Sequence, residues 1–290
     1  MVSVIKAANI ASKAIKFSIA YLSYYVRHSF APKVNNQSEF ATLAKQGVQV
    51  FPNFFTPQII DNIVKDIEAT GIEYVPMLEG QDNPAFLWRQ YRLNEVAADM
   101  SQLTTHALFH RAANAYLGVR SHCSRMMLAQ KNIYNQKKDG PTEYYHFDDW
   151  KHRLKVMIYL DDVDDTNSPF CYLRRSHNWS WWKLKEDFKF YSNFDRSQPI
   201  EGGNVDWTAS YKDGCIHSFG KLKGWQEIIV QGVKGTAILF DSRGLHRGQP
   251  LVSGCRRVII LHFKTECEDG EHKTWLNRSE VDLGSNNFKK

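Results

Sequence analysis

The sequence predicts a mainly β fold with flanking helices, an antiparallel sandwich or barrel of the jelly-roll kind. Three observations lead there. Short runs rich in β-branched and aromatic residues follow one another from residue 120 onward, at 126–134, 144–148, 154–160, 170–173, 226–230, 236–240 and 257–263. Turn residues separate them, and many short strands of this kind close as an antiparallel sandwich or barrel. The clearest helical patterns lie before them. Finally, 290 residues with 43% hydrophobic and 23% charged side chains form an ordinary globular balance, enough for one elaborated domain without disulfide or structural-metal staples.

Taken in chain order, residues 1–30 form a helix. Lys6, Asn9, Lys13, Lys16, Ser23 and Arg27 recur every three or four positions and draw a narrow polar stripe on an otherwise apolar surface. The longest uncharged run, 17–26, has ten residues and cannot span a bilayer. Lys13 and Lys16 also interrupt what would be the apolar core of a signal peptide. Two uses remain: an anchor lying in a membrane interface, or packing of the wide apolar face on its own domain or a second subunit. The second is preferred, because the strongly charged polar face expected of membrane-surface helices is missing. Pro32 closes the segment, so the chain divides into a helix and linker at 1–34 and a single domain at 35–290.

A short strand, 47–51, is closed by Pro52. Thr56 as N-cap, Pro57 at the first helical position and Gly71 beyond the end punctuate the next helix, whose apolar face is Ile59, Ile60, Ile63, Val64 and Ile67. A further helix spans about 101–117 and stops at Gly118. Within the strand-rich part, residues 177–225 form a long insertion rich in Trp, Tyr, Phe, Lys and Gly. Three of its tryptophans, Trp179, Trp181 and Trp182, suit either a substrate lid or a satellite hydrophobic cluster.

Charge and cysteine usage exclude some function classes. Lys and Arg number 37 against 31 Asp and Glu. The surplus reads as spread thinly, which gives no case for nucleic-acid binding. Five cysteines without a CxxC pair argue against a disulfide scaffold or a zinc finger and fit a reducing cytoplasm.

The chemistry lies in His146-Phe-Asp148. On a strand, residues i and i+2 share a face, so imidazole and carboxylate project together as two ligands for a divalent metal. A hundred residues later a buried strand, 235–241, runs into a Gly-containing turn and His246, and the paired arginines Arg256 and Arg257 open another strand. Two His and one carboxylate on one side of a metal form the facial triad of non-haem Fe(II) oxygenases. A guanidinium on a nearby rigid strand is what a dicarboxylate co-substrate requires.

In this order and spacing the chain resembles the phytanoyl-CoA dioxygenase family of Fe(II)/2-oxoglutarate oxygenases. Residues 154–163, 169–177 and 48–71 are similar to that family's strand after the metal motif, its P-F…G-S-H segment and its opening strand and helix; the likeness covers roughly 40–265. The resemblance implies Fe(II), 2-oxoglutarate and dioxygen as cofactors and a small-molecule substrate, with release of succinate and carbon dioxide on hydroxylation of an unactivated C–H bond. Iron would be held by His146, Asp148 and His246. Arg256, favoured over Arg257 by counting back from His262-Phe263, would grip the distal carboxylate of 2-oxoglutarate. Some members also use a Gln on the strand before the motif; Gln130 is the nearest match and Asn132 the same-face alternative. Halogenating relatives lose the carboxylate that Asp148 retains, which favours hydroxylation. Trp150 either flanks the substrate channel or packs on the sheet. Arg175 and Arg247 stand where the family has glycines, and they hint at an anionic substrate. A metal-free binding module of the same fold, or a membrane-peripheral scaffold acting through residues 1–30, is the alternative reading.

Overall fold

The structure is a computed structural model that describes residues 2–29, 34, 38–70, 75–76, 87–91, 100–118, 121–132, 144–193, 209–211, 220 and 223–265. Two antiparallel sheets face each other. The larger has the order β1 (Val48–Phe51), β10 (Ala237–Asp241), β6 (Leu154–Tyr159), β12 (Cys255–Thr265), β4 (Ser121–Asn132), β3 (Leu87–Tyr91) and β2 (Val75–Pro76). The smaller runs β8 (Ala209–Tyr211), β5 (Tyr145–Phe147), β11 (His246–Gly248), β7 (Phe170–Arg174) and β9 (Gln226–Val230). Strands β4 to β7 and β9 to β12 alternate between the sheets, which is the double-stranded β-helix (jelly roll, cupin-like) that the family resemblance implies.

Strand alternation divides the core into layers. Val48, Met127, Ala129, Met157, Tyr159, Ile238, Phe240, Val258 and Ile260 of the larger sheet meet Phe170, Tyr172 and Val230 of the smaller one. The opposite face of the larger sheet, with Met126, Leu128, Val156, Ile158, Leu239, Ile259 and Leu261, is covered by helices. These are α2 (Ala41–Gln46), α3 (Pro57–Ala69), α4 (Ser101–Thr104) and α5 (Ala107–Leu117). Thr56 caps α3 by accepting from the Ile59 N–H at 3.4 Å, a contact worth about 1 kcal/mol.

Several expectations are corrected. Ile60 and Ile67 are buried, but Ile59 is 44% exposed, because it lies about 100° round the helix from Ile60. The helix expected over 101–117 is two helices. His106 breaks it with an extended ψ of 121°, and its ring packs against Phe54, Phe55 and Phe109. The sequence places His246 beyond a turn; in the structure it opens β11, a three-residue strand at the centre of the smaller sheet. The insertion contains α6 (Trp181–Asn193) and the edge strand β8. Trp182 joins Tyr211 and Trp225 on the outer face of the smaller sheet, a satellite cluster, whereas Trp179 and Trp181 are exposed.

The N-terminal helix α1 (Val2–Ser29) packs on its own chain. Phe17, Tyr21 and Tyr24 are buried with Trp150, and Leu184 and Phe188 of α6 lie against them. No helix of the described residues is long and apolar enough to cross a membrane.

Candidate metal centre

His146 and His246 are register partners at the centre of the smaller sheet, with ring centroids 4.5 Å apart. Both face inward, and His246 lies next to Tyr172, Phe170 and Phe240. Asp148 follows β5 by one residue. Its backbone N–H donates to the Ser242 carbonyl at 2.9 Å, which ties it to the turn leading into β11. One ligand atom from each of the three residues lies within 4.8 Å of the others; His246 Nε2 is 3.2 Å and His146 Nε2 4.0 Å from the carboxylate oxygens.

Both imidazoles are oriented for a metal. His146 Nδ1 lies 2.9 Å from the Tyr144 carbonyl and His246 Nδ1 2.8 Å from the Gly244 carbonyl. A carbonyl accepts only, so each Nδ1 carries the proton and each Nε2 presents its lone pair toward Asp148. Burial, reinforced by His246, pushes the His146 pKa down to about 4, so it stays neutral. Burial opposes the charge of Asp148, yet the Lys155 ammonium beside it helps hold its carboxyl well below the ordinary range. The donor set is thus two ring nitrogens and one anionic oxygen, already gathered and oriented for Fe(II).

Lys155 was not singled out in the sequence. It lies on the inward face of β6, two residues from Met157, and its Nζ is 2.7 Å from Asp148 Oδ2. A charged residue amid Leu154, Val156, Met157 and Ile158 is the signal that was available: such a strand position, if inward, requires a partner.

A second network holds the turn between β10 and β11. Buried Asp241 accepts from Arg243 Nη2 at 2.7 Å and from the Tyr116 hydroxyl. Burial opposes its ionisation, but the Arg243 guanidinium outweighs that and keeps it ionised. Arg243 Nη1 reaches Tyr25 of α1 at 3.3 Å, and the Tyr24 hydroxyl lies 3.0 Å from His152 Nδ1. The inner side of α1 therefore braces both segments that carry metal ligands.

Arg256 and Arg257 part as alternation requires. Arg256 is 7% exposed and donates to the Ser168 carbonyl between the sheets. A Cβ on Gly248 would stand 3.3 Å from both terminal nitrogens of Arg256, so the absent side chain makes room for the guanidinium. Gly248 is two residues, about 6.8 Å, from His246 along β11. Arg257 instead faces the helical side and pairs with Asp161 at 2.7 Å and Glu68 at 3.4 Å.

Other expected site residues are not brought here. Gln130 is opposite Arg257 in the ladder, not Arg256, and shares the helix-covered face with Leu128. Asn132 pairs with Cys255, and its side chain lies outside the described residues. Trp150, expected at a channel or on the sheet, sits between Phe17, Tyr21 and Tyr24 of α1. Arg247 points away from its neighbour His246, over the Tyr145 ring at 4.6 Å and toward Glu227. Arg175 is exposed at a turn with φ 70°, the left-handed region that accounts for the family's glycine at this position.

Two facing sheets that enclose a His-x-Asp…His triad, with a buried arginine one strand repeat beyond, define a non-haem Fe(II)/2-oxoglutarate-dependent enzyme acting on a small molecule. The chain belongs to the phytanoyl-CoA dioxygenase (PhyH) family, whose model matches residues 43–259. No curated protein matches it in sequence. Among solved structures it is similar to EctD from S. alaskensis with 2-oxoglutarate and 5-hydroxyectoine (14% identity, TM-score 0.57, 80% of this chain and 77% of that one). It is also similar to the epimerase SnoN in complex with Fe3+, alpha ketoglutarate and nogalamycin RO (13%, 0.56, 78% and 81%). A third is HygX from Streptomyces hygroscopicus with nickel and 2-oxoglutarate bound (14%, 0.53, 79% and 87%). At these identities the likenesses establish the shared fold.

Proposed function

We propose that the chain hydroxylates an unactivated C–H bond of a small molecule, coupled to conversion of 2-oxoglutarate into succinate and carbon dioxide. The observation that carries this is Asp148, whose retained carboxylate completes the triad within 4.8 Å and leaves no vacant ligand place for a halide. Bound iron and 2-oxoglutarate supply the oxidising power when dioxygen arrives. His146, Asp148 and His246 hold the metal, and the Tyr144 and Gly244 carbonyls fix the ring faces. Arg256, whose guanidinium lies beside Gly248 two residues along β11 from His246, would grip the distal carboxylate. Lys155 offsets the charge of Asp148, so that a second anion binds beside it at lower cost. The inward aromatic and aliphatic side chains exclude water from the reacting centre.

The hint of an anionic substrate loses its support, because Arg175 and Arg247 both point elsewhere. Residues 35–290 are read as one catalytic unit, with α1 as its brace. The free thiols Cys123, Cys171 and Cys255 support a reducing, cytoplasmic setting.

Anaerobic addition of Fe(II) and 2-oxoglutarate should give a visible charge-transfer band that His146→Ala abolishes. Succinate release across a panel of carboxylic acids, acyl thioesters, amino acids and nucleotides, followed by mass spectrometry, should find a product heavier by one oxygen atom. A product that has lost two hydrogens or closed a ring, with no oxygen gained, would replace hydroxylation with another oxidative outcome.

A further inference from the structure

We propose that the outward face of α1 docks on an anionic phospholipid bilayer. The helix is apolar on two opposite sides. Phe17, Tyr21 and Tyr24, spaced four and three apart, are the side buried against Trp150 and α6. Ile15, Ile19, Leu22 and Val26, spaced four, three and four apart, form a second row, and they are 62%, 64%, 66% and 46% exposed. At about 100° per residue that row is roughly 60° wide and nearly opposite the buried one. Single exposed aliphatics are ordinary on a protein surface, whereas a continuous row of four marks a contact site.

Charge decides what the contact is. No acidic residue precedes Glu39, while Lys6, Lys13, Lys16, Arg27 and Lys33 do, so five of the six surplus positive charges lie in the first 38 residues. The surplus is therefore concentrated, not spread thinly. Lys13 and Lys16 are exposed, and at about 100° per residue they lie between the aliphatic row and the buried side, with Lys16 one turn before Ile19. A second copy of α1 would bring two acid-free basic stripes together with nothing on the helix to neutralise them. Anionic headgroups supply that complement, and a laterally bound helix buries its apolar row in the acyl boundary. The helix beneath α1 adds to the case. Trp179 and Trp181, 52% and 76% exposed, stand at the start of α6 with ring centroids 5.2 Å apart, and tryptophan favours the headgroup level.

The test is sedimentation of the full chain with phosphatidylcholine vesicles and with vesicles that are one-third phosphatidylglycerol. Binding should be confined to the anionic vesicles at low salt and should weaken by roughly fivefold per lysine removed in Lys13→Gln and Lys16→Gln. Ile19→Glu with Leu22→Glu should weaken it by more than about tenfold. The anaerobic Fe(II)/2-oxoglutarate band of both variants should match that of the unmodified chain, showing that the inner side of α1 and the metal centre are intact. Failure of the unmodified chain to sediment, or equal sedimentation of all variants, overturns the proposal. So does a dimer in solution that the double glutamate variant converts to monomer without any vesicle binding, which would make a second copy the occupant.

Discussion

Lys155→Met separates the charge balance of the metal centre from its architecture. The Lys155 ammonium is 2.7 Å from Asp148 Oδ2, with the two side chains 13% and 22% exposed. Methionine keeps the length and packing of the stem and removes the charge, which leaves a largely desolvated carboxylate between the two imidazoles. Removing one partner of a buried ion pair costs about 3–5 kcal/mol, and the residual exposure of Asp148 places this pair at the lower end, about 3 kcal/mol. For a chain of this size roughly 2–4 °C accompanies each kcal/mol, so the metal-free variant should melt about 6–12 °C below the unmodified protein. Anaerobic Fe(II) then takes over as the counter-charge of the carboxylate, and the deficit should shrink by at least half. By linkage the variant must bind Fe(II) more tightly, by roughly tenfold for each 1.4 kcal/mol recovered. Thermal melts with and without Fe(II), together with a direct Fe(II) titration, read both quantities. An equal deficit in the two melts, or Fe(II) affinity that is unchanged or reduced, would show that Lys155 does not act through Asp148.

Arg256→Gln should raise the KM for 2-oxoglutarate by about 50-fold, the loss of a charge-assisted, two-pronged contact, while Fe(II) affinity stays the same. Arg257→Gln removes only the partly exposed pairs with Asp161 and Glu68, so KM should not move and stability should fall by less than about 1 kcal/mol. Buried His177 has its pKa pushed down to about 4, chiefly by desolvation. The unfolded chain thus binds its proton first as pH falls, and stability drops from about pH 6.5 down to pH 4, by roughly 2–4 kcal/mol; urea titrations along this range should show a shallower decline for His177→Gln. Trp150→Ala vacates the core under α1 and should cost about 3–5 kcal/mol, with faster hydrogen exchange over residues 11–26 before the sheets open.

What the sequence made legible follows from the range of the physics involved. The strand at 226–230 and the cap of α3 are local, and both match the structure to the residue. The triad was legible because its members are types that meet for few other reasons, in an order that the fold conserves. Arg256 is favoured over Arg257 only by counting back from His262-Phe263, because Ile259 and Leu261 on the face of Arg257 are as aliphatic as Val258 and Ile260 on that of Arg256; the ladder of β12 is what turns Arg256 inward. Gln130 shows where such reasoning stops. Which of its faces a strand turns inward depends on the pairing partner, and the ladder Arg257↔Gln130 joins positions too distant for any local pattern to register. Trp150 shows the same limit in packing, since its neighbours Phe17, Tyr21 and Tyr24 lie more than a hundred residues earlier. Lys155 was passed over for a different reason. A lysine in a strand is ordinarily on the solvent side, and only the nearness of Asp148 makes its inward position tolerable. The residue was in view, but its environment is created by the fold. The metal centre is therefore a local motif held by non-local contacts, and its electrostatics, unlike its ligands, had to be read from coordinates.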